Sequence, residues 1–126
     1  MRILIAPDSF KGTMTSAEVC RVVATAIKEH RPDAEVVCLP VADGGEGSVD
    51  AFAAALGEKA RIVPVKGTDS FGCVRHDMKI CVFGKTAVIE TAQSVGLQPN
   101  RLDIMNSTTY GVGSLIKVAL DEGCRK

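Results

Sequence analysis

Glu35-Val36-Val37-Cys38-Leu39-Pro40-Val41-Ala42-Asp43-Gly44-Gly45-Glu46-Gly47-Ser48 decides how this chain is read. A short apolar run hands over to three glycines and two carboxylates, and an amphipathic stretch follows. Such a run suits a strand buried in a parallel sheet. The point where strand gives way to helix is the usual ligand edge of an open α/β sheet. Glycine permits positive φ and close approach of backbone to a ligand. A carboxylate in such a turn can hold a metal or take a proton. Asp43 and Glu46 are therefore candidates for a catalytic or binding site. The same residues also fit a glycine-rich loop with solvated acids.

Upstream, Ile3-Leu4-Ile5-Ala6 is a second apolar run, ending in the polar loop Pro7-Asp8-Ser9-Phe10-Lys11-Gly12. Thr15-Ser16-Ala17-Glu18 is a capping box, so a helix is expected from there to about Glu29. Val19, Val22, Val23 and Ile27 give it an apolar stripe, and Arg31-Pro32 stops it. Downstream, a helix is expected over 48–56, with Val49, Phe52, Ala53 and Leu56 on one side and Gly57 ending it. Arg61-Ile62-Val63-Pro64-Val65 reads as a third strand, with Pro64 marking an edge or a strand end. The first half thus has the β-α-β-α-β rhythm of a parallel sheet, Rossmann-like or flavodoxin-like.

The pattern changes after Gly67. Asp69-Ser70-Phe71-Gly72 is a turn, and strands over 76–82 and 86–90 around Gly84 predict an antiparallel hairpin. A short helical turn over 91–96, an irregular stretch over 97–105 and a final helix from Ser107 or Thr108 to about Glu122 complete the chain. Leu115, Ile116, Ala119 and Leu120 form the stripe of that last helix. The expected fold class is α/β, with 1–66 as a first α/β unit and 67–126 as a hairpin and helix that open a second domain.

The 126 residues balance 15 basic against 15 acidic side chains, which leaves no basic footprint for nucleic acid or an anionic membrane. No apolar run approaches the roughly 18 residues of a membrane span, and the N-terminus lacks a signal-peptide core. Five cysteines without a Cys-x-x-Cys pair fit a reduced cytoplasmic protein better than a disulfide or zinc framework. Cys20 and Cys38 read as small buried apolar residues. His30 and His76 lack partners at ligand spacing.

Three loops carry candidate chemistry: Asp8, Ser9 and Lys11; Asp43 to Ser48; and Glu90 with Thr91. The first two leave the same sheet edge if their strands are parallel. A lysine and two aspartates beside a glycine-rich helix entry are what phosphoryl transfer requires. Lys11 would neutralise phosphate charge, an aspartate would hold Mg²⁺, and helix-start N–H groups would cradle oxygens. Ser107-Thr108-Thr109-Tyr110-Gly111-Val112-Gly113 offers another hydroxyl-rich helix start, equally readable as a plain N-cap. There is no Walker A pattern, and Gly111-Val112-Gly113 lacks the third glycine of a dinucleotide fingerprint.

Taken together, Ile5-Ala6-Pro7-Asp8-Ser9-Phe10-Lys11-Gly12, Pro40 to Gly47, Ile89-Glu90-Thr91-Ala92 with Gly96-Leu97, and Thr108 to Gly113 resemble, in order, four signatures of the bacterial (type I) glycerate kinases. The resemblance implies a two-domain α/β enzyme that phosphorylates D-glycerate with ATP and Mg²⁺ in an interdomain cleft lined by Asp8, Ser9, Lys11, Asp43 and Glu46. Asp43 would be the base or metal carboxylate, Asp8 the second carboxylate, and Lys11 the group stabilising transferring charge. Gly44, Gly45, Gly47 and Ser48 would approach a bound anion, and Thr108 and Thr109 would contact substrate or phosphate. Three features depart from the pattern: Gly67 to Gly72 replaces a shorter turn, Asn106-Ser107-Thr108 varies the fourth signature, and family members are much longer, so the chain looks like an N-terminal fragment. A non-catalytic flavodoxin-like metal- or anion-binding module is the alternative. Truncation would expose apolar faces and favour a homodimer or swapped association.

Overall fold

The structure is a computed structural model describing residues 1–98 and 100–126. Pro99, inside the stretch expected to be irregular, lies outside the described residues. Strand β1 (Arg2–Ile5) leads to helix α1 (Ser16–His30), strand β2 (Glu35–Cys38) and helix α2 (Ser48–Leu56). Strands β3 (Arg61–Thr68), β4 (Val74–Phe83) and β5 (Thr86–Ile89) follow, then helices α3 (Ala92–Val95) and α4 (Tyr110–Asp121).

The capping box forms as expected. Thr15 Oγ1 accepts from Glu18 N–H, and the Glu18 carboxylate accepts from Thr15 N–H at 2.8 Å. Gly57 ends α2 at φ 56°, and Gly84 turns the β4–β5 hairpin at φ 57°. α4 begins one residue later than expected: Thr109 is its N-cap without a side-chain bond, while Thr108 Oγ1 accepts from Tyr110 N–H at 3.1 Å.

β1 and β2 pair in parallel, with Ile5 opposite Cys38. The third strand does not extend this pair. β3 joins β4 and β5 in an antiparallel sheet of order β3-β4-β5. Its sequence explains the change: only Val63 and Val65 are buried, alternating with exposed Ile62, Pro64 and Lys66. That alternation belongs to a sheet with one face on the core, and the tight turn after Thr68 makes pairing with β4 local. Pro64 sits on the edge strand, where its missing N–H costs no ladder bond.

Val63, Val65, Met78, Ile80 and Val82 form the core with Leu115 and Ala119 of α4. Gly111 lets α4 come this close, because a Cβ there would run into Thr68 O and Ser94 Oγ. α2 packs on β4 and β5.

Three predicted stripes are only partly buried. Val19 is buried, but Val22 and Val23 of α1 are exposed, as are Phe52 of α2 and Ile116 and Leu120 of α4. Leu4, inside the parallel pair, is 63% exposed. A two-stranded sheet with one helix against it covers one side of each element and leaves the other open. Cys20 is buried as expected; Cys38 is exposed, because it ends an edge strand.

Candidate active site

The parallel register puts the loops after β1 and β2 on one edge, and a Val41 N–H bond to Pro7 O (3.2 Å) stitches them together. In the first loop, Asp8 Oδ1 accepts from Ser9 N–H at 2.7 Å. Phe10 and Met14 then exchange backbone bonds at 2.9 and 3.0 Å, which holds Lys11 and Gly12 (φ 75°) in a tight turn. Lys11 is exposed and has no ion-pair partner among the described residues.

In the second loop, Asp43 Oδ1 accepts from Gly45 N–H at 2.9 Å, and Gly44 takes φ 97°. Gly47 caps α2 at φ 86°, a conformation that favours glycine. It offers no side chain to the helix N–H groups. Ser48 Oγ instead donates to Gly45 O at 2.7 Å. The missing cap comes from across the fold: Glu90, 5% exposed at the end of β5, accepts from Val49 N–H at 3.1 Å. A carboxylate at a helix N-terminus is favourably placed against the helix dipole.

Ser9, Lys11, Glu46 and Gly47 line one cleft of about 480 Å³, with Glu90 and Arg75 also in its walls. Asp8, Asp43, Gly44, Gly45 and Ser48 belong to the same loops but are not among the residues lining it. Thr108 and Thr109 line a separate hollow of about 650 Å³ with Ser70, Phe71 and Arg101. There the Arg101 guanidinium stacks 3.8 Å from the Phe71 ring centre, and Thr108 N–H donates to Ser70 O at 2.8 Å.

The wall formed by β4 comes from alternate residues Arg75, Asp77 and Lys79, which share one face of the strand. Arg75 Nε donates to Asp77 Oδ1 at 2.7 Å, and this bond pulls the Asp77 carboxyl down to about 2. Lys79 Nζ pairs with Asp50 of α2 at 2.6 Å. The Gln93 amide bonds both backbone groups of Lys79, at 2.7 and 3.0 Å. Sequence reasoning singled out Glu90 as a strand-end acid but missed Arg75 and Gln93. The alternating polar pattern over 76–82 was the available signal for that charged face.

Residues 3–126 match the family model described as "Glycerate kinase family". The chain is 40% identical to the glycerate kinase of Haemophilus influenzae over 98% of its own length and 33% of that protein's. It is also 40% identical to the glycerate 2-kinase of Escherichia coli K12, again over 98% of this chain and 33% of the relative. A crystal structure named as glycerate kinase 2 from Salmonella typhimurium LT2 superposes with a TM-score of 0.75 at 38% identity, covering 98% of this chain and 34% of that one. The chain therefore spans about a third of the length of the relatives it matches. No helix among the described residues is long and apolar enough to cross a membrane. With its two stitched loops, its mixed parallel and antiparallel sheets and a family match over 3–126, this chain belongs to the glycerate kinase family.

Proposed function

We propose that this chain supplies one wall of a cytoplasmic kinase that transfers the terminal phosphoryl group of ATP to a hydroxyl of D-glycerate. The observation that carries the reading is the convergence of Ser9 and Lys11 with Glu46 and Gly47 in one cleft, on loops leaving the same end of a parallel strand pair. Transfer of this kind rests on positioning and charge stabilisation rather than on covalent chemistry by the protein.

Lys11, exposed in its turn and without an ion-pair partner among the described residues, would meet the charge of the moving phosphoryl group. Asp43, or Asp8 on the adjoining loop, would accept the proton of the attacking hydroxyl. Ser9 and the backbone of Gly44, Gly45, Gly47 and Ser48 would orient phosphate or glycerate oxygens, with Glu46 at the rim. Thr108 and Thr109 would serve substrate or phosphate from the neighbouring hollow.

Among the described residues no three His, Cys, Asp or Glu side chains are grouped to hold a metal, so Mg²⁺ would rest on the donor chemistry of Asp8 or Asp43 together with substrate phosphates. Asp8 and Asp43 are hard oxygen donors, each with only Oδ1 engaged among the described residues. Mg²⁺ commonly uses one or two carboxylates plus substrate phosphates. Held there, it would offset phosphate charge. The name of the Escherichia coli relative favours the 2-hydroxyl as acceptor.

The division into 1–66 and 67–126 would shift to the start of β3, with the β1-α1-β2 unit facing the antiparallel sheet across the cleft. The exposed apolar residues of β1, α1 and β2 favour a homodimer or swapped association when the chain is alone, which light scattering on a sizing column reads directly.

The test is glycerate-dependent ADP release by a chimera in which this chain replaces the matching third of the Escherichia coli relative. The expected product is a phosphoglycerate with its phosphate position fixed by phosphorus NMR. A folded chimera that releases no ADP in response to glycerate would overturn the reading.

A further inference from the structure

Two thiols lie outside the residues assigned to phosphoryl transfer. Cys20 sits in mid-α1 against the parallel strands and is 2% exposed, while Cys38 ends β2 and is exposed. Cys38 Sγ donates to Cys20 O at 3.7 Å, and Cys20 Sγ donates to Ile5 O at 3.7 Å. Ile5 is the register partner of Cys38, and its carbonyl also accepts from Leu39 N–H at 2.8 Å. Each sulfur therefore rests on backbone that is next to the other cysteine. Both line one open hollow of about 740 Å³ between α1 and β2. Burial raises the pKa of the Cys20 thiol, and the neighbouring Cys38 adds to the rise. Cys73, Cys81 and Cys124 lie in the antiparallel half.

We propose that Cys20 and Cys38 form an oxidisable dithiol site that reacts with a peroxide and closes to a disulfide joining α1 to β2. Cys38, the exposed thiol, reacts first, because oxidation follows thiolate access. Its thiolate attacks one oxygen of hydrogen peroxide, the O–O bond breaks, and sulfur is oxidised to the sulfenic acid while the second oxygen leaves as water. The Cys20 sulfur then attacks the Cys38 sulfur. The S–S bond forms, the S–O bond breaks, and the departing oxygen takes the Cys20 proton and leaves as water. One peroxide and two thiols become one disulfide and two waters. Burial shields Cys20 from peroxide, so it remains a thiol that can resolve the sulfenic acid on Cys38. Ala17 and Pro40 line both this hollow and the cleft, so the staple would stiffen the cleft floor.

The experiment treats the whole chain with equimolar hydrogen peroxide, blocks remaining thiols by alkylation and maps tryptic peptides without reductant. Cleavage after Arg21 and Lys28 puts the two cysteines on different peptides. The expected result is a peptide pair joined through Cys20 and Cys38, lacking both thiol hydrogens and released by dithiothreitol. In Cys38→Ser, at an exposed position, Cys20 should remain alkylatable after the same treatment, with an unchanged circular dichroism spectrum. Oxidation of Cys38 to sulfinic acid without a cross-link, pairing of Cys38 with Cys73, or no reaction at Cys38 would each overturn the proposal.

Discussion

Glu90 allows a sharp separation between a hydrogen bond and a charge. Its carboxylate is buried and accepts from the N–H of Val49, itself fully buried at the start of α2. Gly47, the N-cap, has no side chain to do this. Glu90→Ala leaves that N–H without an acceptor, and an unpaired buried donor costs about 1–3 kcal/mol. It also removes a negative charge from a helix N-terminus, worth about 0.3–1 kcal/mol and more when partly buried. The expected loss is about 2–4 kcal/mol, a large share of the roughly 5–15 kcal/mol that hold a domain folded. Glu90→Gln keeps an amide oxygen on the Val49 N–H and loses the charge alone, so its cost should be about 1 kcal/mol. Urea unfolding at constant m-value measures both losses. The expected order of midpoints is Glu, then Gln, then Ala. If Gln costs as much as Ala, the hydrogen bond carries no weight. If neither costs more than about 0.5 kcal/mol, the cross-fold cap contributes nothing and the reasoning fails.

Three other perturbations probe different parts of the molecule. Gly111→Ala forces a methyl group against Thr68 O and Ser94 Oγ, so α4 must shift from the sheet at a cost of about 1–3 kcal/mol, read as a lower urea midpoint. Lys11→Met, at an exposed turn, should leave that midpoint within about 0.5 kcal/mol. In the chimera it should lower glycerate-dependent kcat/KM by about 10²–10³-fold, and unchanged turnover would remove Lys11 from the chemistry. Asp69 and Asp77 both titrate below their ordinary 3.8, Asp69 chiefly through the Phe71 N–H and Asp77, at about 2, through Arg75. Because the folded values are depressed, this stability is fully present above the unfolded value and is lost as pH falls through the folded ones. Midpoints measured from about pH 5 down to about pH 2 should decline, and less steeply in Asp77→Asn.

Many element ends were legible because their signals are local. Thr15 and Glu18 sit at the spacing of a reciprocal cap, and both halves of that cap form. Gly57 and Gly84 fall where a helix ends and a hairpin turns, and both take positive φ. The fate of β3 was harder to read, because a five-residue apolar run fits either sheet. The exposed Ile62, Pro64 and Lys66 decide it, and they do so only once β4 is long enough to pair with them. The stripes of α1 and α4 were over-read for a related reason. Helical spacing marks the residues that can face a neighbour, but not how far a neighbour covers them, and Val22 and Ile116 stay about half exposed. In the site, the two glycine-bearing loops were visible from their composition. Arg75 and Gln93 were not, because their relevance comes from the pairing of β4 with its neighbours and from the return of the chain through α3.

The charges around the cleft bear on how an ATP phosphate could enter it. Glu18, Glu46, Asp50, Asp77 and Glu90 line it alongside Lys11, Arg75 and Lys79. Two of these cations are committed, Arg75 to Asp77 and Lys79 to Asp50. At the start of α2, Val49 N–H is held by Glu90 and Ser48 N–H by Gly45 O at 3.3 Å. The helix start that glycine spacing marks as an anion cradle therefore has two of its N–H groups already engaged. An incoming polyphosphate meets more acid than free base, and Lys11 is the lining cation without an ion-pair partner among the described residues. Asp8 and Asp43 stand on the loops that line the cleft without lining it themselves, and a divalent cation on their second carboxylate oxygens would add positive charge to those loops, since a bound ion is often the largest charge in its site. In the proposed reaction, a Mg²⁺ ion would add to Lys11 the positive charge that a polyphosphate requires.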